Sequence, residues 1–337
     1  MILGSGIAMT VSAGCGTVRG GGGQSVPTRI EEARFVSLGG IDQWITIRGD
    51  DVRRPILVLL HGGPGDVQSP YVPVYAPYEQ AFVIVQWDQR GAGKTFARYR
   101  DRTPDLTLER VASDGIELVE YLRRRFKGNS IVLLGHSWGT VIGTSMVSAR
   151  PELFAAYVGT GQVASWAESA AAQFAFVKAR ARETGNAALV AQLDSIGDLD
   201  PTNVTQYFTA TRSLRNFLPD SDKAWFSRMR ALTTDSLGMT DDERTAVNAG
   251  MSFSGRTLLP TQMQEQLSTS ALRFELPYFV IQGRDDWFTP TAPARSYFEK
   301  VVAPKKQMVV LEGAGHFALV THPGAFIAAL DSMLNGR

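Results

Sequence analysis

The sequence predicts an α/β protein: a mostly parallel, doubly wound sheet interrupted by a long helical insertion. Three observations carry that expectation. Short aliphatic runs recur along the chain, they alternate with amphipathic stretches of helical period, and the alternation stops near residue 164 and resumes near residue 273. A chain of 337 residues is long enough for one such domain with an inserted subdomain, or for two modest domains.

Residues 1–28 read as a leader and a Gly-rich tether. Met1 to Gly14 is apolar and small, and Ser12-Ala13-Gly14-Cys15 resembles a bacterial lipoprotein cleavage box with Cys15 at the lipid-anchor position. No Lys or Arg precedes Cys15, although an export signal calls for a positive n-region. An exported, periplasmic lipoprotein and a cytoplasmic protein with a misassigned start therefore stand side by side. Arg34 to Arg48 predicts a hairpin, because Phe35 to Leu38 and Ile41 to Ile47 flank Gly39-Gly40, whose glycines can take positive φ. Pro55 to Leu60, Phe82 to Trp87 and Ser130 to Leu134 are continuous aliphatic runs, which suit strands buried on both faces. Leu108, Val111, Leu118, Val119 and Leu122 recur at helical spacing with Glu109, Arg110 and Glu117 outside them. A second helix runs from Trp138 to Ala149, and Tyr157-Val158-Gly159 is a further short strand.

Residues 164–272 then read as helical, with Ala170 to Ala181 the clearest helix. The strand pattern returns at Tyr278 to Ile281 and Met308 to Leu311, and a last helix spans about Gly324 to Leu334. The expected organisation is a core of residues 29–163 and 273–337 with a helical cap formed by 164–272.

Composition narrows the chemistry. Hydrophobic residues are 44% and charged residues 20%, with a net charge of +1. That balance disfavours disorder and gives no electrostatic case for nucleic acid. Beyond the leader no stretch approaches the ~18 apolar residues needed to span a bilayer. Cys15 is the only cysteine, so no intrachain disulfide forms. The four histidines, His61, His136, His316 and His322, show no metal-ligand spacing. Neither metal nor cofactor is expected, and the expected partner is a small-molecule or short-peptide substrate.

Gly135-His136-Ser137-Trp138-Gly139 matches the G-x-S-x-G nucleophile elbow and lies where that pattern must lie, between a strand and a helix. A tight turn there strains the serine and exposes its hydroxyl near a helix N-terminus, whose dipole favours developing negative charge. A serine hydroxyl needs a base, and in an α/β-hydrolase fold the partners follow as a carboxylate and then a histidine. Gly283-Arg284-Asp285-Asp286 follows one late strand and Gly313-Ala314-Gly315-His316-Phe317 follows the next, both at the sheet edge where such folds bind ligands. Spacing leaves Asp285 and Asp286 both open as the carboxylate. The amide of Trp138 is one expected oxyanion donor. The second is expected from His61-Gly62-Gly63-Pro64-Gly65, with Gly63 as the donor.

Three segments, His61-Gly62-Gly63-Pro64-Gly65, Asp88-Gln89-Arg90-Gly91-Ala92-Gly93-Lys94-Thr95 and Gly135-His136-Ser137-Trp138-Gly139-Thr140, resemble the proline iminopeptidases, as do Gly283 to Asp286 and Gly315-His316. The resemblance covers roughly residues 30–160 and 275–337. It implies a Ser137–His316–Asp286 triad, because that family's acid stands three residues after the glycine. It also implies a helical cap. Trp225 and Gly62 are the expected substrate contacts. Two departures stand out. Thr95 replaces the usual serine, and Arg228 and Met229 replace the Trp and Glu of the family's Trp-x-x-Trp-Glu segment. That glutamate helps bind the substrate's free amino terminus, and an ammonium without it loses a charge-assisted hydrogen bond. Glu168, Glu183, Asp235 and Glu265 are the other carboxylates of the expected cap that could take its place, which would make the chain a true prolyl aminopeptidase.

Rival readings are weaker. Gly93-Lys94-Thr95 lacks the upstream glycine of a P-loop, since Asp88 stands there. Asp88 and Arg90 read as an ion pair fixing their own loop. Epoxide hydrolases and dehalogenases need a carboxylate where Ser137 stands. A non-catalytic receptor on the same fold is the alternative of another class. His136 is expected to pack inside the elbow and His322 to sit at the start of the last helix. Phe174, Phe176, Phe208 and Trp225 are expected more as helix core than as pocket.

Overall fold

The computed structural model of the protein describes residues 28–235, 240–264 and 266–336. Cys15 and the rest of the expected leader lie outside the described residues, apart from Thr28. Eight strands form one sheet in the order β1-β2-β4-β3-β5-β6-β7-β8. They are β1 (Ile30–Leu38), β2 (Ile41–Gly49), β3 (Ile56–Leu60), β4 (Val83–Asp88), β5 (Ile131–His136), β6 (Ala156–Thr160), β7 (Tyr278–Gly283) and β8 (Lys306–Leu311). β1 and β2 run antiparallel to each other, and β2 runs antiparallel to β4. All other neighbours are parallel.

The aliphatic runs are buried on both faces for the reason the sequence suggests. In β3, Ile56, Val58 and Leu60 pack into one core with Val111, Leu118, Val141 and Ile142 from helices Leu108–Arg125 and Trp138–Ala149. Leu57 and Leu59 point the other way, into a second core with Tyr71, Phe326 and Leu330. Strand alternation thus feeds two separate cores, one on each side of the sheet. The β1–β2 hairpin turns on Gly39 (φ 56°) and Gly40 (φ 77°), as its two-residue loop requires.

Between β6 and β7, which are neighbours in the sheet, the chain leaves and returns through helices Trp166–Glu183, Ala187–Asp194, Val204–Thr211, Asp220–Asp235 and Asp241–Gln262. An antiparallel bridge between Ser165 and Gln266 closes the base of this insertion. No helix among the described residues is long and apolar enough to cross a membrane.

One sequence reading is corrected. Arg90 does not pair with Asp88. Its guanidinium grips Asp114 of helix Leu108–Arg125 at 2.7 and 3.1 Å and donates to the carbonyls of Pro104 and Gly39. Asp88 instead accepts the Lys94 amide at 2.8 Å, at the start of helix Gly93–Tyr99. Both carboxylates are buried, but only Asp114 lies where the five guanidinium donors can be shared among three partners.

Candidate active site

The elbow takes the strained form its sequence predicts. Ser137 has φ 54° and ψ −118°, a left-handed backbone uncommon for a residue with a Cβ, and it begins helix Trp138–Ala149. Its amide donates to Thr160 of neighbouring β6 at 3.0 Å, which pins the turn to the sheet. Gly139 must lack a side chain, since a Cβ there would stand 2.2 Å from the Leu60 carbonyl oxygen. Gly62 also packs close to the turn. A Cβ on it would lie 3.2 Å from the Ser137 Cβ and from the His136 Nδ1.

The loops after β7 and β8 bring Asp286 and His316 together. His316 Nδ1 lies 3.0 and 2.9 Å from the two carboxylate oxygens of Asp286. Asp286 also accepts from the amides of Phe288 (3.0 Å) and Thr289 (2.9 Å), the Thr289 hydroxyl (2.8 Å) and Gln282 Nε2 (3.0 Å). A carboxylate facing Nδ1 accepts its hydrogen, which fixes the proton of neutral His316 on Nδ1. The free lone pair is then on Nε2. Burial alone would lower the His316 pKa, but the Asp286 charge and hydrogen bond, with the charges of Asp222 and Asp66, raise it above its ordinary value. Asp285, the other carboxylate left open by spacing, makes no hydrogen bond or ion pair with His316 among the described residues; its amide donates to the Ala314 carbonyl.

Ser137 and His316 line one cavity of about 650 Å³. Its wall continues through Gly63, Trp166, Gln173, Tyr207, Phe226 and Phe288, and also includes Asp66 and Arg215. No hydrogen bond joins Ser137 to His316 among the described residues, and such contacts commonly tighten only on substrate binding. Gly63 faces the cavity with φ 113°. Neither its amide nor that of Trp138 donates a hydrogen bond among the described residues.

Several expectations fall elsewhere. Trp225, expected to contact substrate, is 4% exposed and packs edge-on against Tyr71 at 5.7 Å, so it is core and does not line the cavity. Its neighbour Phe226 does line it, one residue around the helix. Gly62 supports the elbow without facing the cavity. Phe176 stacks on Trp287 at 3.7 Å and Phe174 packs beside the same cluster, whereas Phe208, expected in the core, is 51% exposed at the cavity rim. Met229 packs against the second core. Glu168 and Glu183 are exposed and outside the cavity wall. Glu265 and the side chain of Asp235 lie outside the described residues.

His61 and His136 are both buried and neutral. Burial lowers them to about 4 and about 3. His61 Nδ1 donates to the Gly62 carbonyl while its Nε2 accepts from the Gln89 amide, so it braces the loop beside Gly63. His136 Nε2 donates to the His316 carbonyl at 3.0 Å. His322 precedes the final helix Pro323–Asn335, with its Nδ1 2.9 Å from the Thr321 hydroxyl.

Sequence reasoning missed Asp66 and Asp222. Asp66 directly follows the His61-to-Gly65 loop, so its place beside the segment expected to supply an oxyanion donor was a usable signal. Its carboxylate makes no hydrogen bond among the described residues, and burial raises it to about 6 against the opposing charges of His316 and Arg215. Asp222 had no local signal, because its contacts are 94 and 95 residues away.

The sequence matches the family described as the alpha/beta hydrolase fold over residues 55–323. The chain belongs to that family, and it is a hydrolase. It is 26% identical over 302 residues to the probable aminopeptidase YbaC of Bacillus subtilis (strain 168), covering 88% of this chain and 94% of that one. It is 24% identical over 309 residues to the proline iminopeptidase of Lactobacillus helveticus (strain DPC 4571), covering 88% and 95%. Among solved structures, a proline iminopeptidase-related protein of Thermus thermophilus superimposes with a TM-score of 0.62 at 19% identity, over 91% of this chain and 98% of that one. That likeness shows the fold.

Proposed function

We propose that the protein is a serine hydrolase that cleaves an ester or amide bond of a small substrate through an acyl-enzyme. The observation that carries this reading is the His316–Asp286 contact at 2.9 Å beside a cavity that Ser137 also lines from a positive-φ turn. Ser137 Oγ attacks the carbonyl carbon as its proton passes to His316 Nε2. The carbonyl oxygen becomes an oxyanion held by the amides of Gly63 and Trp138, and Asp286 stabilises the imidazolium. His316 then gives the proton to the leaving group, and water repeats the sequence to release the acid. The helices of residues 166–262 serve as the cap that keeps this chemistry away from bulk water.

Cavity charge favours an uncharged substrate. Asp66 and Arg215 contribute one carboxylate and one guanidinium to its wall, Met229 stands where the resembling family has its glutamate, and aromatic side chains supply much of the rest. An ammonium brought into such a site gains an anion and meets a cation. A second reading, an aminopeptidase, rests on Asp66: a cavity carboxylate with no hydrogen bond among the described residues offers an ammonium a partner, though from the core rather than the cap.

A substrate panel decides between them, with prolyl and alanyl arylamides set against short-chain esters and lactones and Ser137→Ala as the blank. The first reading expects higher kcat/KM on the uncharged substrates. A preference for prolyl arylamides that collapses in Asp66→Asn would instead establish the second.

A further inference from the structure

His316 is gripped from three sides. Its imidazole is held by Asp286, its carbonyl by His136, and its amide by Asp222, a residue of the inserted helix Asp220–Asp235. The Asp222 carboxylate is fully buried and accepts the His316 amide at 2.8 Å and the Phe317 amide at 3.4 Å. The surrounding sequence is shaped to admit it. A Cβ on Gly315 would stand 2.2 Å from one Asp222 oxygen and 2.6 Å from the other, so only glycine leaves room. The same helix is fastened at further points, with the Ser221 hydroxyl donating to the Gly313 carbonyl at 3.3 Å and, one turn on, Phe226 edge-on to Phe317 at 5.2 Å.

An unpaired buried carboxylate is costly, and two backbone amides offset only part of that cost. Burial accordingly raises the Asp222 pKa, while the His316 amide bond and the His316 charge pull against it. Its position beside the base gives the charge a use that a neutral tether would not have.

We propose that Asp222 is a positioning residue for His316, through which the inserted helix both places the imidazole and stabilises the cation it becomes on taking the Ser137 proton. This rests on the hydrolase reading of Ser137 and His316. The groups that face His316 are Asp286 after β7, Asp66 after β3, His136 at the end of β5 and Asp222 from the insertion, with the Thr289 hydroxyl 3.3 Å from Nδ1. Asp286 acts through the ring nitrogen, whereas Asp222 acts through the backbone and at longer range. Its removal should therefore weaken the base without abolishing it.

The test is the rate of labelling of Ser137 by a fluorophosphonate, followed against pH in wild type, Asp222→Asn and Asp222→Ala. Asn keeps an acceptor for the His316 amide but loses the charge. The proposal predicts that Asp222→Asn moves the acid limb to lower pH, because the imidazolium loses a stabilising anion, and that its rate falls less than that of Asp222→Ala. The alanine variant should lose about tenfold to a hundredfold, the scale of a slightly misplaced catalytic group. If Asp222→Ala does not fold, the limb of Asp222→Asn decides alone. An acid limb that stays in place in Asp222→Asn would reduce Asp222 to a structural tie and overturn the proposal. Wild-type protein that is not labelled at Ser137 would bring down the hydrolase reading itself, a result distinct from a labelled wild type with an unmoved limb.

Discussion

Ser137, His316 and Asp286 are each placed by a different strand end, and the proposed chemistry depends on all three arriving together. Members of such a set act as a unit, so Ser137→Ala and His316→Ala are each expected to lower kcat by roughly 10⁴-fold or more, with Asp286→Asn one or two orders less severe. Asp285→Asn should keep most activity, because that side chain makes no hydrogen bond or ion pair with His316 among the described residues. Steady-state rates on one ester substrate check all four variants, and a dead Asp285→Asn beside an active Asp286→Asn would reassign the acid. The pH profile offers a separate check. His316 must be neutral to accept the serine proton, and its pKa is raised above 6.5. Activity should therefore fall as pH drops through a midpoint above 6.5, and a midpoint below that value would contradict the electrostatics of the site. At this scale the motifs carry the reading well, since the elbow glycines and the Gly315-His316 pair are local patterns. Asp66 and Asp222 escape it for different reasons: one stands beside a motif but outside it, and the other meets the site only through tertiary packing.

The elements that hold the site are tied by one buried ion pair that the sequence misassigns. Proximity in the chain suggests Asp88 for Arg90, but the strand ending at Asp88 turns Arg90 toward helix Leu108–Arg125. There Asp114 also accepts from Gln43 (2.7 Å) and Arg110 (2.8 Å), joining β2, that helix and the loop after β4. The Gly39 turn seats against the same cluster, where a Cβ would lie 1.8 Å from an Asp114 oxygen. Breaking one side of a buried pair leaves an uncompensated charge, so Arg90→Met should destabilise the fold by about 3–5 kcal/mol. Urea denaturation measures this, and a loss under about 1 kcal/mol would show that Gln43 and Arg110 alone satisfy Asp114. The buried central strands, by contrast, are legible to within about two residues at each end, whereas β1 starts at Ile30, well ahead of the expected Phe35, because its half-exposed first residues carry no aliphatic run. Runs such as Ile56 to Leu60 are apolar on both faces, and only a sheet packed on each side accommodates that. Helices Gly93–Tyr99 and Thr291–Lys300 carry little signal, the first lying within a glycine-rich motif and the second holding a proline and only a short apolar stripe.

For the whole molecule, the insertion is the part the sequence describes least, although it supplies much of the cavity wall. Its helical character is plain from residues 164–272, but its packing is not. Trp225 turns inward and Phe226 toward the cavity, a distinction set by one helical step that periodicity does not resolve in a helix flanked by apolar residues on several faces. The insertion leaves after β6, returns at β7, is clasped by the Ser165–Gln266 bridge and reaches His316 through Asp222. Core and insertion therefore build one cavity, with Ser137 and His316, the proposed nucleophile and base, from the core and much of the wall from the helices. The most direct measurement is intact and peptide mass spectrometry after fluorophosphonate treatment. The account predicts a single adduct on Ser137 in wild type, its absence in Ser137→Ala, and a strongly slowed reaction in His316→Ala. An unmodified Ser137, or full ester hydrolysis retained by Ser137→Ala, would contradict it.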